Sequence, residues 1–151
     1  MKLAACYSHR YGEEEWARRD LLDWIKSICE ESSIDGSMSK VVTKHFRDQL
    51  TAKGWSDPVR ISVDSNVTIF SLYSDLAFQV QTGNVSRYAY DLLKLQYLYQ
   101  AGKINAVGFA LPSKEAAKKM NDNVANAERA WKELCIFDRI ITVPILILAF
   151  E

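Results

Sequence analysis

Residues Ala77–Asn84 read AFQVQTGN: two glutamines flank a valine, and Gly-Asn follows. Strand-favouring residues surround the pair, Val67–Tyr73 before it and Leu76–Thr82 around it, with Ser74-Asp75 between them as a two-residue turn. Side chains alternate across a strand, so Gln79 and Gln81 share one face with Ala77. The same turn pairs Phe70 with Gln79 and Thr68 with Gln81. One face of the hairpin is then expected to show two amides, a hydroxyl and an aromatic ring, while Phe78, Val80 and Ile69 turn to a core. An amide that loses water must find new hydrogen bonds. What those two amides meet is therefore the question that decides the fold and the site.

Working outward, Glu13–Ser32 carries apolar groups at near-helical spacing behind three glutamates that suit the positive end of a helix dipole. Those glutamates read as a solvated helix start rather than as paired catalytic acids. A second helix is expected over Met38–Ala52, with Val41, Val42, His45, Phe46 and Leu50 inward and Gly54 as its stop. Val59, Ile61 and Val63 alternate with polar residues and begin a three-stranded meander that the hairpin completes. Ser86–Gln100 is helical in period, with Ala89, Leu92, Leu93, Gln96 and Tyr97 near one face. Ile104–Leu111 is a strand, a long helix runs from an N-cap at Ser113 to about Leu134, and Ile140–Phe150 is a strand apolar on both faces. Strands linked through helices near the C-terminus pair in parallel, beside an antiparallel meander. The expected architecture is a mixed-sheet α/β sandwich with helices flanking a central sheet, as one domain over residues 1–151.

Composition narrows the function classes. Lys plus Arg (19) balance Asp plus Glu (19), so any basic surface must be local. The three cysteines, Cys6, Cys29 and Cys135, form no CxxC pair and are expected to be buried thiols, and His9 and His45 are too few for a metal cluster. The start has no signal-peptide pattern, and ITVPILILAF is far shorter than the roughly 20 residues a membrane span needs. A cytoplasmic protein with no membrane partner is the expectation. Neither Walker nor dinucleotide glycine spacing is present, nor a G-x-S-x-G elbow.

Gln79-Val80-Gln81 followed by Asn84 resembles the second strand of the PD-(D/E)xK nucleases, and most closely the Glu-Val-Gln of type II restriction endonucleases of the BglII group. Ser39-Lys40 and Phe46–Val59 are similar to the helix that precedes the hairpin in that group, and Ala110–Phe150 to its closing helix and strand. The resemblance implies a restriction-endonuclease-like fold, duplex DNA as partner, and a Mg²⁺ held by two carboxylates. This chain departs at both. Phe70 stands at the acidic position nine residues before the glutamate, and Gln79 stands for the glutamate itself. Gln81 matches the family as it is. A phenylalanine and a neutral amide offer Mg²⁺ almost nothing, so no metal and no cofactor is expected.

The acids nearest the motif are Asp64 in the preceding turn, Asp75 at the hairpin tip and Asp91 on the following helix. Asp64 is the candidate that a register slip or bulge would carry toward Gln79, although turn aspartates ordinarily serve Asx bonding. The expected nucleic-acid contacts are Asn84 and Arg87 at the mouth of the hairpin, with Lys114 and Lys118 in the first turns of a helix. Tyr88, Tyr90, Tyr97 and Tyr99 read as core or dimer contacts rather than base-stacking platforms. The leading expectation is a catalytically inactive nuclease-fold protein that binds nucleic acid. The alternatives are a Mg²⁺-dependent DNA endonuclease with relocated carboxylates, and a homodimeric protein-interaction module.

Overall fold

A computed structural model describes residues 1–151. In chain order the elements are β1 (Leu3–His9), α1 (Gly12–Ala17), α2 (Leu22–Ser27), α3 (Ser39–Ala52), β2 (Val59–Arg60), β3 (Thr68–Ile69), β4 (Ser71–Tyr73), β5 (Leu76–Val80), α4 (Ser86–Gln100), β6 (Ala106–Pro112), α5 (Lys114–Met120), α6 (Ala127–Ile136) and β7 (Ile145–Phe150). Five strands form the central sheet in the order β1-β7-β6-β5-β4. The pairs β5–β6 and β6–β7 are parallel, while β4–β5 and β1–β7 are antiparallel. Every residue of β5, β6 and β7 is buried. That is the pattern of strands covered on both faces, and it makes the arrangement the expected mixed α/β sandwich.

The hairpin forms in the expected register, with Ser71 opposite Phe78, Leu72 opposite Ala77 and Tyr73 opposite Leu76. Ser74 takes a positive φ of 52°, which a tight two-residue turn requires. Several boundaries differ from the sequence reading, each for a local reason. The meander breaks at Phe70, and β2 pairs only with β3 in a separate two-stranded sheet. Ile69 and Phe70 therefore exchange the layers that simple alternation assigns. Ile69 packs with Ala77 and α4, and Phe70 packs on the α3 side. The first helix is two short ones, because Asp20 adopts φ 54° between Ala17 and Leu22. The long C-terminal helix is likewise α5 and α6, separated by the turn-forming Asn121-Asp122-Asn123. β1 is a strand the sequence does not announce, its alternation masked by half-buried residues at the sheet edge.

The two faces of the sheet carry different layers. On one, α1–α3 bury Trp16, Ile25, Val42, Phe46 and Leu50 against Leu76, Phe78, Leu146, Leu148 and Phe150. Trp16 stacks on Trp55 at 5.8 Å and meets the edge of Phe78 at 6.2 Å. Gly108 in β6 is required here, since a Cβ would come within 2.6 Å of Phe78 and 2.7 Å of Trp16. On the other face α4 and α6 pack Leu92, Leu95, Ala130 and Leu134 on Ala77, Val107, Phe109 and Ile147. Val42, Phe46 and Leu50 face inward on α3 as expected, whereas Val41 is exposed and His45 is half-buried with Nε2 at 2.8 Å from the Ile28 carbonyl. The inward face of α4 is only partly the expected one, with Leu92 and Gln96 buried as foreseen. Ala89, Leu93 and Tyr97 are exposed, and Tyr88, Asp91, Lys94 and Gln96 are buried. Of the cysteines, Cys29 is buried and its thiol is pushed up to about 12 by desolvation. Cys135 is exposed, contrary to expectation. No helix is long and apolar enough to cross a membrane.

Candidate nucleic-acid interface

β5 and β6 run parallel, so both strands end at the same edge of the sheet. The last residues of β5 and the two that follow it carry the glutamines to that edge. There they meet α4 from one side and the 66–68 segment from another, around a cavity of about 630 Å³. Gln79, Gln81, Asp91, Lys94, Arg87 and Thr68 line it.

Both glutamines are nearly buried, and both have partners. Gln79 Oε1 accepts the Phe70 backbone N–H at 2.9 Å. Phe70 therefore faces Gln79 through its main chain, not its ring. The ring lies in the other layer, 5.3 Å beneath the guanidinium of Arg47. The expectation that Phe70 fills the space beside the amides is corrected by the backbone bend that turns it away. Gln79 Nε2 has no bond within the protein and is not sealed from solvent, so it stays available at the cavity wall. Gln81 Oε1 accepts the Gly83 N–H at 2.8 Å, and its Nε2 donates to Asp91 Oδ2.

The acid that reaches this face is Asp91, which the helical period should have revealed. Tyr88, Asp91, Leu92, Leu95 and Leu98 form an i, i+3, i+4, i+7, i+10 stripe. Only the habit of excluding charged residues from such a stripe hides it. Asp91 is 3% exposed, and Lys94, one turn on, places its ammonium 2.6 Å from Asp91 Oδ1. Lys94 Nζ also donates to the Thr68 carbonyl at 2.8 Å and lies 5.3 Å from the Tyr90 ring. A charge pair this buried is tolerated because each member is hydrogen-bonded beyond the pair itself.

The other acids do not enter. Asp64 is exposed in the loop before β3, its N–H on Ser62 Oγ at 3.3 Å, and it does not line the cavity. Asp75 is taken at the opposite end of β5. Arg19 grips both its oxygens, Asn105 Nδ2 donates at 2.8 Å, and the guanidinium lowers its carboxyl to about 2. No group of three or more His, Cys, Asp or Glu side chains is placed to hold a metal ion.

Of the four expected contact residues, Arg87 is exposed and lines the cavity. Asn84 is exposed beside it, its Oδ1 accepting the Ser86 N–H at 2.9 Å, and it bridges to Val124. Lys114 and Lys118 are exposed on α5 around a separate small cavity with Asn121 and Asp122. The N-terminus of α5 is not open to a phosphate, because Glu128 Oε2 accepts the Lys114 N–H at 2.8 Å and Ser113 Oγ accepts the Ala116 N–H at 3.1 Å. A second basic wall was missed. Lys40, Lys44 and Arg47, at i, i+4 and i+7, stand exposed on α3. Ser39 Oγ lies 2.6 Å from Thr82 Oγ1 and Arg47 rests on Phe70, so α3 flanks the same strand end.

The sequence matches the family model described as restriction endonuclease BglII/BglIII over residues 4–150. A search of curated proteins finds no match. Among solved structures, restriction endonuclease BglII complexed with a DNA 16-mer superposes on 100% of this chain with a TM-score of 0.80 at 12% identity, over 78% of its own length. Free BglII superposes with a TM-score of 0.71 at 13% identity, over 80% of its length. At such identities the likeness speaks for the fold. The Mg²⁺ that this fold family implies does not fit the residues present. A hard divalent cation wants several charged oxygens, and the cavity holds one carboxylate that already has an ammonium on one oxygen and an amide on the other.

Proposed function

This chain belongs to the BglII/BglIII restriction endonuclease family, and from that premise we propose that it is a member that binds duplex DNA without cutting it. The observation that carries the reading is the pairing of Asp91 with Lys94 and Gln81 where the strand end presents Gln79 rather than an acid. Attack of water on a phosphodiester needs charge to activate the water and to receive the developing negative charge. Here the one carboxylate is neutralised. Binding draws support from the cations on both sides of the β5 end, Arg87 and Lys94 from α4 and Lys40, Lys44 and Arg47 from α3. Lys94 and Lys44 are paired with Asp91 and Asp48, so Arg87, Lys40 and Arg47 carry the local positive surplus in a chain whose totals balance.

The test is duplex affinity against salt. Log affinity is expected to fall linearly with log salt, and Arg87→Ala to reduce that slope by about 1. Absence of binding at low salt, or affinity indifferent to salt, overturns the reading. The alternative of a Mg²⁺ endonuclease is favoured by one observation, that Asp91 does stand in the cavity. It predicts plasmid nicking in Mg²⁺ or Mn²⁺ that Asp91→Asn abolishes. A dimer is favoured by Tyr90, Leu93 and Tyr97, an exposed i, i+3, i+7 stripe on α4; sedimentation of the purified protein decides it.

A further inference from the structure

Two protein oxygens converge on Lys94 in the cavity, Asp91 Oδ1 and the Thr68 carbonyl, both at bonding distance, and the Gln79 and Gln81 side chains line the same wall. Hard oxygens from a carboxylate, a main-chain carbonyl and side-chain amides are what an alkaline-earth ion collects. Each amide oxygen has given one lone pair to a backbone N–H and keeps a second. The cation that the Asp91 and Thr68 oxygens receive is the Lys94 ammonium. It is 9% exposed and has used two of its three N–H donors on oxygens. A divalent ion placed on the same oxygens would sit within a few ångströms of that ammonium, where like charges repel strongly.

We infer that Lys94 is the built-in cation of this cavity: it excludes divalent metal from the Asp91 and Thr68 oxygens and offers its remaining donor to an incoming phosphate oxygen. The phosphate half rests on the reading above that the chain binds DNA; the metal half does not.

Two measurements on the full chain test it. In the first, Mn²⁺ is titrated to about 10 mM against thermal unfolding, a ligand of the native state alone being seen as a rise in the midpoint. The wild-type midpoint is expected to stay fixed. Lys94→Met, which frees the oxygens and keeps the stem, is expected to rise by about 2–4 °C. Lys94→Met combined with Asp91→Asn is expected to lose that rise, which separates this site from surface carboxylates. Lys94→Gln serves if the Met variant does not fold. Mn²⁺ stabilisation of the wild type, or no gain in either foldable Lys94 variant, overturns the inference.

In the second measurement, a labelled duplex is bound in EDTA and again in Mg²⁺. Equal affinity in the two, with at least a tenfold loss in Lys94→Met in EDTA, is expected. Wild-type binding that needs Mg²⁺, or a Lys94→Met affinity unchanged in EDTA, overturns the inference while leaving DNA binding intact. No binding in either buffer, with the metal results as expected, sinks the DNA-binding reading and the phosphate half together and leaves the metal half standing.

Discussion

The two faces of the central sheet solve the burial problem differently. The face under α1–α3 is closed by rings and branched chains, with Trp16, Phe46, Phe78 and Phe150 fully buried and in mutual contact. The face under α4 and α6 has an apolar middle, but at the end of β5 it encloses Gln79, Gln81, Asp91 and Lys94. Polar groups there are kept by specific hydrogen bonds rather than by contact area, so their arrangement is less forgiving. The aromatic face holds the sheet together, and the polar end of the other face is where it can meet a ligand.

Breaking the aromatic face should have the largest effect. Trp16→Ala removes a fully buried ring from between Trp55 and Phe78. It is expected to cost about 3–5 kcal/mol in urea unfolding. On the polar side, Asp91→Ala leaves the Lys94 ammonium buried without its counter-charge. An expected cost of about 3 kcal/mol would set it well apart from a surface acid. A loss under about 1 kcal/mol, as for an exposed pair, would mean that the cavity is wetter than its hydrogen bonds indicate.

Gln81→Leu is a milder probe, because it takes one partner from Asp91 and one from the Gly83 N–H. It is expected to cost about 1–3 kcal/mol. Asp75 gives the smallest signal and lies at the far end of β5, so it serves as a control. Its carboxyl is held at about 2 against an ordinary 3.8, chiefly by the hydrogen-bonded Arg19. A depressed folded-state value stabilises above the unfolded one and is lost as pH falls through the folded one. The melting temperature of the wild type should therefore lose ground to Asp75→Asn between about pH 4 and pH 2, with no change in DNA affinity.

Much of the frame is legible in the sequence. Ser74-Asp75 between two strand runs sets the hairpin register, and the apolar run Ile140–Phe150 marks a strand covered on both faces, which begins in the structure at Ile145. What failed did so where a local rule met a tertiary one. Alternation predicted that Phe70 would face Gln79, but the chain bends there and main chain replaces side chain. Apolar counting puts Ala89, Leu92, Leu93, Gln96 and Tyr97 on the inner face of α4, but only Leu92 and Gln96 are buried, because the inner stripe runs through Asp91 and Lys94, each the other's buried partner. The exposed Lys40, Lys44 and Arg47 have a legible i, i+4, i+7 spacing, yet only tertiary contacts, Ser39 with Thr82 and Arg47 on Phe70, bring that stripe beside the strand end. One consequence concerns restoring the family's acids. Phe70→Asp would place a carboxylate under Arg47 in the other layer, so Phe70→Asp with Gln79→Glu is not expected to create a metal site.

The measurement that bears most directly on the account is incubation of supercoiled plasmid with the purified chain at low salt in Mg²⁺ and in Mn²⁺. Mobility before and after removal of the protein is then compared. A retarded complex that releases intact supercoiled DNA in both metals is expected. Nicked or linear product that requires the metal and disappears in Asp91→Asn would contradict it, and would make Asp91 a catalytic residue rather than the partner of a resident lysine.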